Sequence, residues 1–258
     1  MAGPIPERML AEARIAQTEP EAEKPEATKP RVTKPRTPKG RARQTVARLA
    51  VEYPGTAAEL CELGFANSFE LLVATVLSAQ TTDQRVNQVT PAVFARYPTP
   101  GELAEADPDE LEALIRPTGF FRSKARSLIG LGRALADRFD GQVPADMADL
   151  VTVPGVGRKT ANVVRSVGLG LPGLPVDTHV IRVSGRLRLT EATDPVKIEA
   201  DLCVMVPAAE WGALSLRMIL HGRRVCVARR PRCQDCVLAD FCPSAHLPVG
   251  QTPSRRPR

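Results

Sequence analysis

Four cysteines close to the C-terminal end of the chain have the spacing of metal ligands. They form a Cys-x6-Cys-x2-Cys-x5-Cys pattern, and the remaining two cysteines stand alone; the four are Cys226, Cys233, Cys236 and Cys242. Thiolates this close together are typical of a zinc ion or an iron–sulfur cluster. The spacing leaves zinc and iron open. Disulfides are the less favoured alternative, because we expect the chain to be cytoplasmic.

A glycine-rich turn precedes a second candidate group, the amine of Lys159. The turn has the sequence VPGVG at 153–157 and lies between predicted helices at 146–151 and 158–169. Glycines two residues apart let backbone N–H groups approach an anion, and at the start of a helix such donors suit a phosphate. An ATP-binding loop is excluded because Arg158 separates the last glycine from the lysine.

Lys159 and Asp177 could act together on a substrate. Lys159 is predicted in the first turn of its helix, where the helix dipole disfavours a second positive charge. Burial in a cleft would disfavour the ammonium further and favour the neutral, nucleophilic amine. The alternative is an exposed lysine that contacts a phosphate. Asp177, at the predicted start of the next helix, is either an N-cap or a carboxylate that faces Lys159.

The elements that must position these groups are predicted to be helices. Apolar residues recur at spacings of three and four, period-two alternation is nearly absent, and cap signals separate the segments. We therefore predict an all-α fold. The predicted helices are 42–53, 68–79, 83–96, 101–106, 108–115, 122–138, 146–151, 158–169, 178–187, 195–205 and 210–221.

The positive charge of the chain is concentrated in its ends. The net charge is +6, but residues 1–44 carry ten Lys or Arg against six Glu, and residues 247–258 carry three Arg and no acid. We predict that both ends are disordered, the first as a basic, Pro-rich arm whose role stays open. The body between them is nearly neutral, so any affinity for nucleic acid must arise from a local patch.

Such a patch is predicted beside the cysteines. Residues 217–232 contain six arginines, one histidine and no acid. Arginine suits phosphate oxygens, and a metal centre would hold the loop in shape. The chain contains no apolar run near the roughly 18 residues that span a bilayer. The first ten residues also lack the apolar stretch of a secretory signal, which is why we expect a cytoplasmic protein.

Together these segments resemble the endonuclease III family. The motifs that carry the resemblance are LSAQTTD at 77–83, VPGVGRKTAN at 153–162, VDTH at 176–179, HGR at 221–223 and the four cysteines. Each motif alone is weak, but their order and spacing are specific. The similarity runs from about residue 44 to Cys242.

The resemblance implies a fold and a set of roles. It implies a six-helix barrel with a helix-hairpin-helix at 61–171, a cluster lobe formed by 45–60 and 172–246, and an active-site cleft between them. Lys159 would be the nucleophile and Asp177 the catalytic carboxylate. The cofactor would be one 4Fe-4S cluster, which decides for iron over zinc, with the four cysteines as its ligands.

The resemblance also implies contacts with double-stranded DNA. Gln80 would fill the space left by an extruded base, and Phe120 or its neighbour Phe121 would wedge into the opposite strand. Further DNA-binding residues are expected in the hairpin and the basic patch; they are Gly155, Val156, Gly157, Arg158, His179, Arg223, Arg229 and Arg230.

The implied activity is that of a bifunctional DNA glycosylase and AP lyase of base excision repair. A monomer would remove damaged pyrimidines through a lysine Schiff base and cut 3′ to the abasic site by β-elimination. One alternative is an adenine-mismatch glycosylase, which does not need this lysine and carries a further C-terminal domain that we do not find after Cys242. The other is a non-catalytic DNA-binding module with a structural metal.

Overall fold

A computed structural model describes residues 35–246, and within this range every regular element is helical. The all-α prediction is confirmed for these residues. The α-helices are α1 Pro38–Glu52, α2 Ala57–Leu60, α3 Ser68–Leu77, α4 Asp83–Arg96, α5 Pro100–Ala104, α6 Pro108–Ile115, α7 Phe121–Arg138, α8 Met147–Leu150, α9 Arg158–Val163, α10 Thr178–Arg186, α11 Pro195–Met205 and α12 Trp211–Arg224.

The helix starts follow the cap signals of the sequence. The side chain of Thr99 accepts a hydrogen bond from the amide of Glu102, whose carboxylate accepts from the Thr99 amide in return. Asp107 and Asp194 cap α6 and α11 in the same local manner. Each cap satisfies amides that the first turn of a helix leaves unpaired, so these boundaries are set by a few neighbouring residues.

The predicted boundary of the N-terminal arm is wrong at its C-terminal end. The helix begins at Pro38 rather than at the predicted residue 42, and so residues 38–44 of the predicted arm are helical, because Thr37 caps α1 and Pro38 occupies its first position. Arg41 is buried and donates hydrogen bonds of 2.7 Å to the carbonyls of Leu187 and Arg188. Residues 1–34 of the arm and the whole tail 247–258 lie outside the described residues.

Two further details differ from the prediction. The short helix α2 was not predicted, and the single helix expected at 158–169 changes its hydrogen bonding after Val163 and continues as a π-helix over Val164–Gly168. A four-residue helix is too short to show an apolar period, and a π-helical turn has no sequence period of its own.

The buried apolar side chains form two clusters. The larger cluster draws on the elements between α3 and the π-helical turn, with Leu72, Leu111 and Leu131 fully buried. The smaller one joins α1 to α10, α11 and α12. All described residues belong to one compact unit. The division into a barrel at 61–171 and a cluster lobe stays a prediction.

No helix within residues 35–246 is both long and apolar enough to cross a membrane.

Candidate active site and metal centre

Lys159 is the second residue of α9, and only Arg158 separates it from the glycine turn. Gly157 is the N-cap, no side chain caps the helix, and the first amide that bonds back into the turn is that of Ala161, 2.9 Å from the Gly157 carbonyl. The preceding amides at the start of α9 are therefore oriented toward an external acceptor. The positive end of the helix dipole lies at the lysine, as the sequence predicted.

The turn itself needs glycine at one position. Gly155 has φ +80°, and a Cβ there would lie 3.0 Å from the Cβ of Ser127. Val156 was predicted among the DNA-binding residues, but its side chain is buried and its amide bonds the carbonyl of Val153 at 3.0 Å. Its amide is therefore used within the turn, so in this conformation the exposed groups are those of Gly155 and Gly157.

Asp177 is both an N-cap and a cleft residue. Its Oδ1 accepts hydrogen bonds from the amides of His179 and Val180, at 2.8 and 2.9 Å, at the start of α10. This pair of bonds fixes the rotation of the carboxyl group. The two interpretations of Asp177 are therefore compatible, because one oxygen caps the helix while the group also lines the cleft described next.

Lys159 and Asp177 line the same narrow cavity. Its volume is about 80 Å³, and the other lining residues include Glu62, Asp83 and Arg223. Lys159 is exposed rather than buried. The burial that would favour a neutral amine is thus absent in this conformation. Within the described residues Lys159 and Asp177 line this cavity without forming an ion pair.

Two predicted DNA-binding arginines are held by acids. Arg158 forms two hydrogen bonds of 2.8 Å with Glu199 of α11. Arg223 lies between Glu62 and Asp83, with 2.8 Å between its Nη1 and the Asp83 carboxylate. Neither of the two acids that bind Arg223 was predicted from the sequence. Asp83 closes the LSAQTTD motif, but no spacing rule connects Glu62 to a residue far along the chain.

His179, another predicted DNA-binding residue, is half-buried in α10. Its Nδ1 lies 2.9 Å from Nη2 of Arg182. Burial, more than any neighbouring charge, lowers the pKa of His179. At neutral pH its ring is therefore a neutral hydrogen-bonding group rather than a cation.

Gln80 and Phe120 are exposed at the tips of two loops, and both adopt left-handed backbone conformations. Their φ angles are +55° and +48°. Such angles are uncommon for residues other than glycine, and they cluster at functional sites. Phe120 is 67% exposed, whereas Phe121 is half-buried with the guanidinium of Arg116 5.1 Å from its ring centre.

The predicted basic patch is smaller than the sequence indicated. Arg217 is buried and donates to the carbonyls of Tyr53 and Gly55, and His221 is buried as well. Arg229 and Arg230 remain exposed and form no ion pair within the described residues. Residues of α12 point to different sides of the helix, and Arg217 and His221 lie on its buried side, so one stretch of sequence does not become one surface.

The four clustered cysteines are free thiols in one region of the structure. Burial, together with the proximity of the other three, raises the pKa of Cys236 to about 12, and burial with the proximity of Cys226 and Cys233 raises the pKa of Cys242. A bound metal would offset the cost of ionising these buried thiols, because it binds them as thiolates. Donors already face the sulfurs, since Nη1 of Arg186 lies 3.2 Å from Cys226 Sγ and the amide of Leu238 lies 3.4 Å from Cys236 Sγ.

The arrangement of these thiols bears on the kind of metal group. No set of three or more His, Cys, Asp or Glu side chains in residues 35–246 is placed to hold a single ion. A zinc ion would need four sulfurs at about 2.3 Å from one point. N–H donors directed at the sulfurs suit thiolates that bind a metal group, and the four thiols therefore fit an iron–sulfur cluster.

Comparison with known proteins defines the class of this chain first. The model of the HhH-GPD superfamily of base excision DNA repair proteins matches residues 73–208, which is more than half of the chain. The iron-sulfur binding domain of endonuclease III matches residues 226–242, the stretch bounded by the outer two cysteines. The fold and site are therefore those of a helix-hairpin-helix base excision repair protein with an iron–sulfur group.

Individual relatives narrow this class. Endonuclease III of Synechocystis is 53% identical over 75% of this chain and 87% of its own length. A non-covalent endonuclease III–DNA complex matches with a TM-score of 0.75 and 42% identity, over 80% of this chain and 96% of that one. A trapped endonuclease III–DNA covalent intermediate matches with a TM-score of 0.75 and 43% identity over the same shares.

This chain belongs to the endonuclease III family. It is a DNA glycosylase and AP lyase of base excision repair, as the resemblance implied. The non-catalytic module and the adenine-mismatch glycosylase do not fit this assignment.

Proposed function

We propose that this enzyme removes damaged pyrimidines from duplex DNA through an imine between Lys159 and deoxyribose. The observation that carries the proposal is the position of Lys159 and Asp177 on the walls of one cavity, with Asp177 held by its own helix cap. The relative trapped as a covalent intermediate with DNA supports a covalent route. A damaged base stacks poorly, so its extrusion costs less than that of a normal base.

The proposed chemistry uses the neutral amine of Lys159. Nζ attacks C1′, the C1′–N bond to the base breaks, and the electron pair leaves with the base. Asp177 stabilises the positive charge that develops on the sugar and takes a proton from the attached amine. It returns this proton to the ring oxygen O4′ as the C1′–O4′ bond breaks, which opens the sugar and leaves a protonated imine between Nζ and C1′. The resulting imine acidifies the C2′ proton. Loss of that proton expels the 3′ phosphate by β-elimination and cuts the strand.

The DNA contacts are proposed from exposure and charge. The free amides around Gly155 and Gly157 would bind phosphate oxygens, and the exposed Arg229 and Arg230 would contribute positive charge to the DNA-binding surface. Phe120, rather than Phe121, is the proposed wedge because it is the exposed ring. Gln80 would occupy the place of the extruded base.

Two of the predicted arginines need to exchange partners to contact DNA. Arg158 and Arg223 are paired with carboxylates in this conformation. We propose that phosphates replace these partners on binding, because phosphate is also a bidentate acceptor for arginine.

Cys226, Cys233, Cys236 and Cys242 would hold one 4Fe-4S cluster. The group supplies a rigid cross-link between the ends of a loop that carries exposed arginines. In the protein itself, Arg186 and the amide of Leu238 direct N–H donors at the sulfurs. Iron and acid-labile sulfide analysis of the purified protein tests this, and four iron atoms per chain are expected; a colourless zinc protein would contradict it.

The imine is tested by trapping. Borohydride should reduce it to a stable bond between the protein and a duplex that carries an abasic site, and Lys159→Gln should abolish the cross-link. A cross-link of normal yield in Lys159→Gln would overturn the assignment of the nucleophile. Duplexes with thymine glycol, a damaged purine or no lesion test the proposed pyrimidine specificity, and only the first should be cleaved at a substantial rate.

A further inference from the structure

Lys124 is a buried lysine for which the proposed chemistry has no use. It lies in the first turn of α7, and only 6% of its surface is exposed. Lysine is almost never this buried unless it is paired. In the part of the chain that the structure describes, its ammonium forms no ion pair, and burial lowers its pKa.

The contacts of the ammonium explain why it is there. Nζ donates to the carbonyl of Leu77 at 2.8 Å and to the carbonyl of Thr118 at 2.9 Å. Leu77 is the last residue of α3, and Thr118 is the last residue of the short 3-10 turn Arg116–Thr118. Both carbonyls lie at helix ends, where the backbone leaves acceptors unpaired and the dipole favours a cation.

These two carbonyls stand at the bases of the two loops that carry left-handed residues. The chain runs from Leu77 through a short turn to Gln80, and from Thr118 through Gly119 to Phe120. The amide of Lys124 also bonds the carbonyl of Phe120 at 3.0 Å. One residue therefore contacts the stems of both loops and the backbone of one tip.

We infer that Lys124 is a positioning residue that fixes the Gln80 loop and the Phe120 loop relative to each other, so that both tips enter the duplex as one unit. This rests on the proposed function, in which the two tips replace the extruded base and separate the opposite strand. Side-chain packing alone holds such loop tips weakly, because Phe120 is mostly exposed. A charge-assisted pair of hydrogen bonds at the stems supplies the missing constraint.

The test replaces Lys124 by methionine, which is one atom shorter, fills the space of most of the aliphatic chain and removes its donors. The full chain with its metal group is assayed for single-turnover cleavage of a thymine glycol duplex, where a roughly 10- to 100-fold loss is expected, as for misplaced reacting groups. A second duplex carries 2-aminopurine opposite a tetrahydrofuran abasic analogue, which cannot form an imine. The rise in 2-aminopurine fluorescence on binding should be reduced, because the wedge no longer unstacks that base.

A double-mutant cycle separates positioning from a general structural role. If Lys124 acts through Phe120, Lys124→Met in a Phe120→Ala background should cost less than about threefold, because interacting sites are not additive. Multiplicative losses in the cycle would overturn the inference. So would a wild-type fluorescence change in Lys124→Met.

The matched control is Arg133→Met on the same helix. The Nε of Arg133 donates to the carbonyl of Ala104, also the last residue of a helix, but at 3.3 Å and away from both loops. Rates within about twofold of wild type are expected for this variant, since surface changes are usually near neutral. A loss equal to that of Lys124→Met would refute a specific role for the two loops.

Folding is checked first by thermal denaturation. If Lys124→Met shows no cooperative transition, Lys124→Gln takes its place, because its shorter side chain keeps a donor but cannot bond both carbonyls. Measurements on the wild-type protein distinguish failure of the proposed function from failure of the role proposed for Lys124. If wild type fails to cleave or to raise the fluorescence, the proposed function fails; if wild type does both and the lysine variants match it, only the role of Lys124 fails.

Discussion

Replacing Gly173 by alanine should slow the reaction although Gly173 contacts no proposed substrate group. Gly173 lies in the buried loop that leads to Asp177, and its backbone packs on α9, the helix of Lys159. A Cβ at this position would lie 2.6 Å from the carbonyl oxygen of Asn162 and 3.3 Å from the Cβ of Arg165. The first of these atoms belongs to the backbone of α9 and cannot rotate away.

The size of the expected rate loss follows from the contact between this Cβ and the Asn162 carbonyl oxygen. A carbon–oxygen contact of this kind settles at about 3.3–3.6 Å, so the loop and α9 must separate by about 0.7–1.0 Å. The separation moves Asp177 away from Lys159, and a displacement of about 1 Å between reacting groups costs up to roughly 100-fold in rate. We expect borohydride trapping on an abasic duplex to slow by roughly 10- to 100-fold, with a loss of about 1–3 kcal/mol in the free energy of unfolding from overpacking.

Gly185→Ala is the matched control, because Gly185 lies in α10, the helix that Asp177 caps. A Cβ there meets nothing within 4 Å. Its trapping rate should equal that of wild type, and its stability should rise by up to about 1 kcal/mol from helix propensity. The reasoning is refuted if Gly173→Ala traps DNA at the wild-type rate while folded, or if both variants lose the same activity.

Three further outcomes are expected. Phe120→Ala should slow cleavage of a damaged duplex roughly tenfold, in line with the free energy of aromatic–base stacking, with little effect on stability. Phe121→Ala should instead lower the free energy of unfolding by about 2 kcal/mol. Urea titrations measure the stability effect and single-turnover assays measure the rate effect of each variant. Gly132→Ala should destabilise the protein by about 1–3 kcal/mol in urea unfolding, since its Cβ would lie 2.6 Å from a backbone nitrogen of α5, and an unchanged midpoint would contradict this. The hydrogen bonds from Arg96 lower the pKa of Glu110, and a lowered pKa in the folded state stabilises the protein above the unfolded value of about 4.5. The stability difference between wild type and Glu110→Gln, measured in urea from pH 3 to 6, should therefore shrink as the pH falls below 4.5. A difference that grows would refute the direction of the pKa shift.

Local signals predicted most of the helices correctly. Thr99 and Asp107 cap their helices with residues three positions away, so the information lies within one turn of sequence. The same rule failed at the arm, where the cap at Thr37 was overlooked among prolines and lysines. It also could not show that Arg41 would be buried, because its acceptors at Leu187 and Arg188 come from a distant part of the chain.

For the candidate site, too, the sequence predicted some features correctly and others not. The resemblance indicated Lys159 and Asp177, and the structure places both on one cavity. Composition indicated a patch of six arginines, but helix periodicity buried Arg217, and Glu62 and Asp83 hold Arg223. Which arginines face solvent depends on how the helices pack, and a count of residues in a stretch of sequence carries no information about packing.

The sequence by itself determined the helical fold, the glycine turn before Lys159 and the four-cysteine pattern, because each depends on residues close together in the chain. Only the tertiary structure decided that Asp177 joins Lys159 at one cavity, that Phe120 rather than Phe121 is exposed, and that Lys124 links two loops. Those outcomes depend on distances between residues far apart in sequence. Such distances are set when helices bury their apolar faces together and must still satisfy every buried polar group.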